Sequence, residues 1–242
     1  MLAPEQIQAN WNKHLKIIDS FIDSPRKEKV KQMYSELEEI LVLAPASGKS
    51  HFHNAFAGGY IDHVNRVVEA SLRVKTLWES MGASIDFTDE ELVFTALFHD
   101  LGKVGDGEKE GYILQTDKWR QEKLNEVYTN NPELPFMLIQ DRSLYILQKF
   151  GISMTTNEYF GIRLHDGIYD EANKAYFISN SPDSKLRTNI VYIVHQADFL
   201  ASKVEYDRWK ATAQPKSSTS SYKKEKPTLK PSPGLMNTLK EL

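Results

Sequence analysis

Apolar residues recur at helical spacing along most of this chain, and the recurrences break at proline, glycine and short polar clusters. Ile7, Trp11, Leu15, Ile18 and Ile22 follow one face after Pro4, a residue suited to a first turn, so a helix is predicted from Pro4 to Ile22. Ser24-Pro25 restarts the chain, and Met33, Leu37, Ile40 and Leu41 mark a second amphipathic helix that ends before Pro45. Gly58-Gly59 opens a long helix from Tyr60 to Met81, with Ile61, Val64, Val67, Val68, Leu72 and Leu77 on its apolar face. Thr88-Asp-Glu-Glu91 is a capping box that starts the next helix, whose apolar run through Leu92, Val93, Ala96 and Leu97 reaches His99-Asp100 before Gly102.

Gly105 to Gly111 reads as a polar loop. Shorter helices are predicted over Asp117 to Tyr128, Ser143 to Phe150 and Thr155 to Leu164, the last running into His165-Asp166-Gly167. Ala175-Tyr-Phe-Ile-Ser179 suits a small strand or hairpin arm. A last long helix is predicted from Leu186 to about Ala213. The expected fold class is therefore all-α, a helical bundle with a small β-hairpin insertion. Residues 1–44 read as a helical extension packed on a main domain of residues 45–213. From Gln214 onward, Ser217-Ser-Thr-Ser-Ser221, then scattered lysines and Pro227, Pro231 and Pro233, read as a disordered tail, residues 214–242, that could dock a protein partner.

Composition narrows the chemistry. The chain has 242 residues and no cysteine, which excludes disulfides, thiolate metal sites and cysteine nucleophiles and fits a reducing, cytoplasmic setting. No apolar run is long enough for a membrane span, and the first residues lack the features of a secretory signal. Net charge is −3, but the last 29 residues hold six lysines and two glutamates, so the body carries −7. An acidic body is a poor non-specific partner for long nucleic acid.

Gly48-Lys49-Ser50 resembles the end of a phosphate-binding P-loop, but the glycine required five positions earlier is Leu43, and the preceding segment reads as helix. That reading fails. The stronger signals are polar residues set into apolar helices. His63 stands at the edge of the long helix's apolar face, His99-Asp100 at the end of another, and Asp198 inside the apolar stretch of the last. Such groups are costly to bury unless hydrogen-bonded, paired or bound to metal. Two imidazoles and two carboxylates suit a divalent ion such as Mn, Fe or Mg, with positions left for water and substrate. His195, three residues before Asp198, reads as structural or supporting.

These residues fall within blocks that resemble the HD-domain metal-dependent phosphohydrolase superfamily, nearest to the HD domain of bacterial 3′→5′ exoribonucleases. Ala55-Phe-Ala-Gly-Gly-Tyr-Ile-Asp-His63, with His53 before it, is similar to that branch's His-x-x-x-x-Gly-Gly-Leu-Leu-Glu-His block. Leu97-Phe-His-Asp-Leu-Gly-Lys103 resembles its Leu-x-His-Asp-Ile-Gly-Lys, Ile162-Arg-Leu-His-Asp-Gly167 its Ile-Leu-x-His-His-Gly, and His195-Gln-Ala-Asp198 its His-x-Ala-Asp. The chain departs at His53-Asn54 and His165-Asp166, where the branch has paired histidines, and at Ala201, where it has a second aspartate. The helical first 44 residues do not supply the oligonucleotide-binding barrel of those exonucleases.

The resemblance implies an HD-type phosphoric ester hydrolase acting on a phosphorylated small molecule, a nucleotide or a short oligonucleotide. His63, His99, Asp100 and Asp198 would hold one ion. Asp100 would bridge to a second if His165 binds one with help from His53 or Asp166; otherwise His165 would contact phosphate or donate a proton. Lys103 would neutralise phosphate charge, with Lys49 and His53 as further substrate contacts. Phe56, Tyr60 and Tyr169 are candidates for stacking a base. The alternative is a metal-stabilised signalling or docking module with little catalysis; a homodimer is compatible with either.

Overall fold

The computed structural model describes residues 2–178, 181 and 185–213. The predicted tail, 214–242, lies outside the described residues, as does Ser179 of the predicted hairpin arm. Among the described residues the architecture is all-α with one small hairpin. The helices are α1 (Pro4–Phe21), α2 (Arg26–Glu36), α3 (Glu38–Leu43), α4 (Gly59–Ser80), α5 (Asp89–Phe98), α6 (Lys118–Leu124), α7 (Ile139–Lys149), α8 (Thr156–Leu164), α9 (Lys174–Phe177) and α10 (Ile190–Ala213).

The bundle is built around α5. Its capping box forms as expected, with the Thr88 hydroxyl accepting from the Glu91 amide and the Glu91 carboxylate accepting from the Thr88 amide. Leu92 through Phe98 are all buried, so this helix is apolar around its whole circumference and has neighbours on every side. It packs on α1, α4 and α8. Ile18 of α1, Ile22 just after it, and Met33 and Tyr34 of α2 join Val64, Val67, Phe94 and Phe98 in one core. A second apolar cluster seats Ile190, Val191, Ile193 and Val194 of α10 against Leu92 and Leu164. Each large side chain buried this way contributes roughly 1.5–3 kcal/mol.

Two contacts align α5 with α8. At their N-terminal ends the Arg26 guanidinium lies 2.6 Å from Glu158 of α8, also bonds Glu90 of α5, and covers the Phe94 ring at 4.2 Å. Further along, Gly161 of α8 lies so close to α5 that an added Cβ would stand 2.4 Å from the Thr95 methyl. The helices run side by side in one direction, and both end at a histidine: His99 follows α5 and His165 follows α8, with ring centroids 4.9 Å apart.

The hairpin is not where the sequence predicts it. Residues Lys174–Phe177 form the short helix α9, while β1 (Tyr112–Leu114) pairs antiparallel with β2 (Tyr128–Asn130), Ile113 opposite Thr129. Three-residue strands are too short to show alternation, and the charged segment between them masks them; only Lys118–Leu124 of the predicted Asp117 to Tyr128 helix is helical. The predicted second helix is two, broken at Leu37, where ψ is 10°. The last helix starts at Ile190 rather than Leu186, because Thr188 and the Asn189 amide are held by the Asp86 carboxylate.

Gly161→Ala should lower stability to urea by about 1–3 kcal/mol, the usual range for overpacking a close helix contact. A second expectation concerns His14. Its Nδ1–H donates to Asn65 Oδ1 at 2.8 Å, and its Nε2 accepts from the Tyr34 hydroxyl at 2.8 Å. Burial pushes this histidine down from 6.5 to about 4, with the Asn65 hydrogen bond opposing only in part. The unfolded chain then binds more protons than the native one, so this contribution is present above pH 6.5 and lost as pH falls toward 4. Stability measured between those limits should fall less steeply in His14→Gln than in the parent chain.

Candidate metal centre

The site lies where α5 and α8 end, facing the second turn of α4 and the middle of α10. Two helix C-termini direct partial negative charge at this point, which favours a cation. The sequence supplies the donors at those places. His63 comes from α4, His99-Asp100 and His165-Asp166 follow their helices, and Asp198 comes from α10.

Each imidazole of the cluster has one nitrogen occupied. The Nδ1–H of His99 donates to the Ala96 carbonyl at 2.8 Å, and that of His165 to the Ile162 carbonyl at 2.8 Å. Both bonds return to the ring's own helix three residues back, so main chain fixes ring and tautomer. The Nδ1 of His63 lies 3.1 Å from both carboxylate oxygens of Glu205, whose side chain is fully buried. The three Nε2 atoms are left to face the carboxylates. Those of His63 and His99 are buried and close no hydrogen bond. A ring whose outer nitrogen is anchored while its inner nitrogen faces carboxylates has the form of a metal ligand.

The separations fit an ion. His63 Nε2 stands 3.1 Å from Asp198 Oδ1 and 3.5 Å from Asp100 Oδ2. His99 Nε2 is 3.4 Å from Asp100 Oδ2 and 3.9 Å from Asp198 Oδ1. Ligands about 2.1 Å from one octahedral ion are about 3 Å apart when adjacent and about 4.2 Å when opposite. His63, His99 and Asp198 form one group of ligand atoms within 4.8 Å of one another, and His99, Asp100 and His165 a second. These buried His and Asp groups could hold a divalent metal ion.

Without metal the cluster balances its own charge. Burial works against the carboxylates, but Lys103 and His99 hold Asp100 well below the usual range, and His63 does the same for Asp198. Burial also works against charge on His63, where Glu205, Asp100 and Asp198 more than offset it and push the group up. For His165, burial is outweighed by Asp166 and Asp100, raising it to about 9. Lys103 lies 2.6 Å from Asp100 Oδ2.

Above the cluster is a cavity of about 450 Å³ whose wall includes His53, Asp100, Lys103, His165, Asp166 and Asp198. The predicted residues thus converge, with exceptions. Lys49 lines a neighbouring hollow instead. Tyr60 is wholly buried, Phe56 faces a different cavity, and Tyr169 is three-quarters exposed beside His195, so none of the three stacking candidates lines this cavity. The His195 Nδ1–H donates to the His165 carbonyl at 2.7 Å, and its ring packs on Gly167, where φ is +58° and a Cβ would come within 2.8 Å. It supports the turn that carries His165-Asp166.

Glu205 is the residue that sequence reading missed. It accepts from His63, lies 3.3 Å from His53 Nδ1 and 3.4 Å from Arg66, and is pushed down to about 2 by His63 and His53 in spite of burial. Its signal was register: Val194, Asp198, Ala201 and Glu205 recur along one face of α10.

No protein-family model, curated protein or solved structure matches this chain.

Two measurements follow. Because His63 is raised and His165 is raised to about 9, an incoming ion must displace their protons at neutral pH, so binding should release protons there and tighten as pH rises. Calorimetry in buffers of different ionisation enthalpy reads this directly. Glu205→Gln should weaken metal binding by about 10–100-fold, as loss of an outer partner of a ligating histidine does.

Proposed function

We propose that this protein is a metal-dependent phosphohydrolase of the HD type, cleaving a phosphate ester of a nucleotide or short oligonucleotide. The observation that carries the reading is the pair of buried Nε2 atoms, on His63 and His99, that close no hydrogen bond while facing Asp100 and Asp198 beneath an open cavity. Each costs about 1–3 kcal/mol while unpaired, a cost that a bound ion would remove.

His63, His99, Asp100 and Asp198 hold the first ion in this reading. His165, with Asp100, offers a second place. A bound divalent ion supplies the acidity that turns water into a nucleophile at neutral pH and polarises a phosphoryl oxygen. The rest is done by side chains. Lys103, tied to Asp100 and reaching the cavity, neutralises charge on the phosphate. Lys203 adds a second cation to the same wall. Asp166 stands 3.5 Å from His165 Nε2 and orients that ring when it is not ligating, leaving it placed to give a proton to the departing oxygen. The open cavity favours an enzyme over a closed structural site, because substrate has a way in.

The test is metal content and turnover together. The parent protein, loaded with Mn, Fe or Mg, should hydrolyse members of a panel of phosphomonoesters, phosphodiesters and nucleotides. His99→Ala should lose both metal and turnover, while Lys103→Ala keeps the metal and loses turnover. Metal uptake by the parent without turnover on the panel would overturn the enzymatic reading.

A further inference from the structure

Gly48-Lys49-Ser50 is not a P-loop, yet the fold gives it a defined place. The Tyr128 and Val127 amides donate to the Gly48 carbonyl at 3.0 and 2.8 Å, and the Ser50 amide donates to the Asn125 carbonyl at 2.9 Å. A Cβ at Gly48 would come within 2.7 Å of the Tyr128 carbonyl oxygen. The loop is thus bound edge-on to the hairpin, and between them lies a hollow of about 410 Å³. It shares Phe52, His53 and Lys103 with the cavity above the metal cluster, so the two spaces adjoin across those three residues.

The charges of the hollow are unevenly committed. Arg120 is held by both oxygens of Glu126 at 3.1 Å, and Lys103 by Asp100. Lys49 has no carboxylate partner among the described residues; its ammonium stands 5.5 Å from the centre of the Phe52 ring. Phe52 is itself half exposed, an aromatic ring on the boundary between the two spaces. An uncommitted cation beside an exposed ring, next to a phosphate-cleaving centre, matches the two chemistries of a nucleotide.

We propose that this hollow binds the part of the substrate beyond the scissile phosphate: a base stacked on Phe52, with a second phosphate against Lys49. The proposal rests on the phosphohydrolase reading and narrows it to nucleotides that carry a phosphate besides the one cleaved. The volume suits one nucleotide unit rather than a long strand.

Equilibrium binding of adenosine 5′-diphosphate to the full chain tests this, beside inorganic phosphate as the one-phosphate probe, in chelator and again with Mn. Phe52 and Lys49 lie at the surface, so Phe52→Ala and Lys49→Ala should fold, which circular dichroism checks. Each should weaken diphosphate binding about tenfold, the scale of one lost stack or phosphate contact. Phe52→Ala should leave inorganic phosphate unchanged. Binding within twofold of the parent in both variants, or no diphosphate binding under either condition, would overturn the proposal. Metal content of the same samples separates the two claims. No metal uptake with variant-sensitive nucleotide binding sinks the centre and keeps the hollow; metal uptake with insensitive binding does the reverse.

Discussion

The close approach of α5 and α8 is the constraint on which the rest of this structure depends. Gly161 removes the side chain that would hold the helices apart, and Arg26 ties Glu90 and Glu158 at their starts. With the starts aligned, the ends are aligned too, and each end carries a His-Asp pair. A shift of one residue along either helix would rotate its terminal histidine by about 100°. The His-Asp end is thus positioned by contacts at the opposite end, within a core that is apolar all round α5.

Electrostatics then decides what the aligned ends can hold. Two helix C-termini, Asp100, Asp198 and Glu205 converge on a space where Lys103, Arg66 and the imidazoles answer them. The negative side of that balance is fixed by backbone and by buried carboxylates. The positive side is exchangeable, since imidazole protons leave readily. A divalent ion replacing those protons would keep the charge balance of the cluster.

Much of this was legible in the sequence, for a physical reason. Long helices declare themselves by repetition, so α1, α4, α5 and α10 emerge from spacing and capping alone, and a polar residue in an apolar register stands out against that background. His63, His99, Asp100 and Asp198 stood out so. Glu205 did not, because a glutamate in the charged second half of a long helix is ordinary until its burial is known. The hairpin failed for the opposite reason: Tyr112–Leu114 and Tyr128–Asn130 are too short to repeat anything, and their pairing is settled by partners distant in sequence. Lys49 was legible as a cation near a phosphate-like motif, but only the fold shows that it belongs to the hollow rather than to the metal cluster.

The self-neutralising character of the cluster has a consequence for the life of the chain. The ionised side chains already offset one another's charge, His63 against Asp198 and Lys103 against Asp100. Folding therefore does not wait for metal, unlike small domains that collapse only around their ion. A divalent ion that binds here would enter a finished fold in exchange for protons, rather than nucleate it.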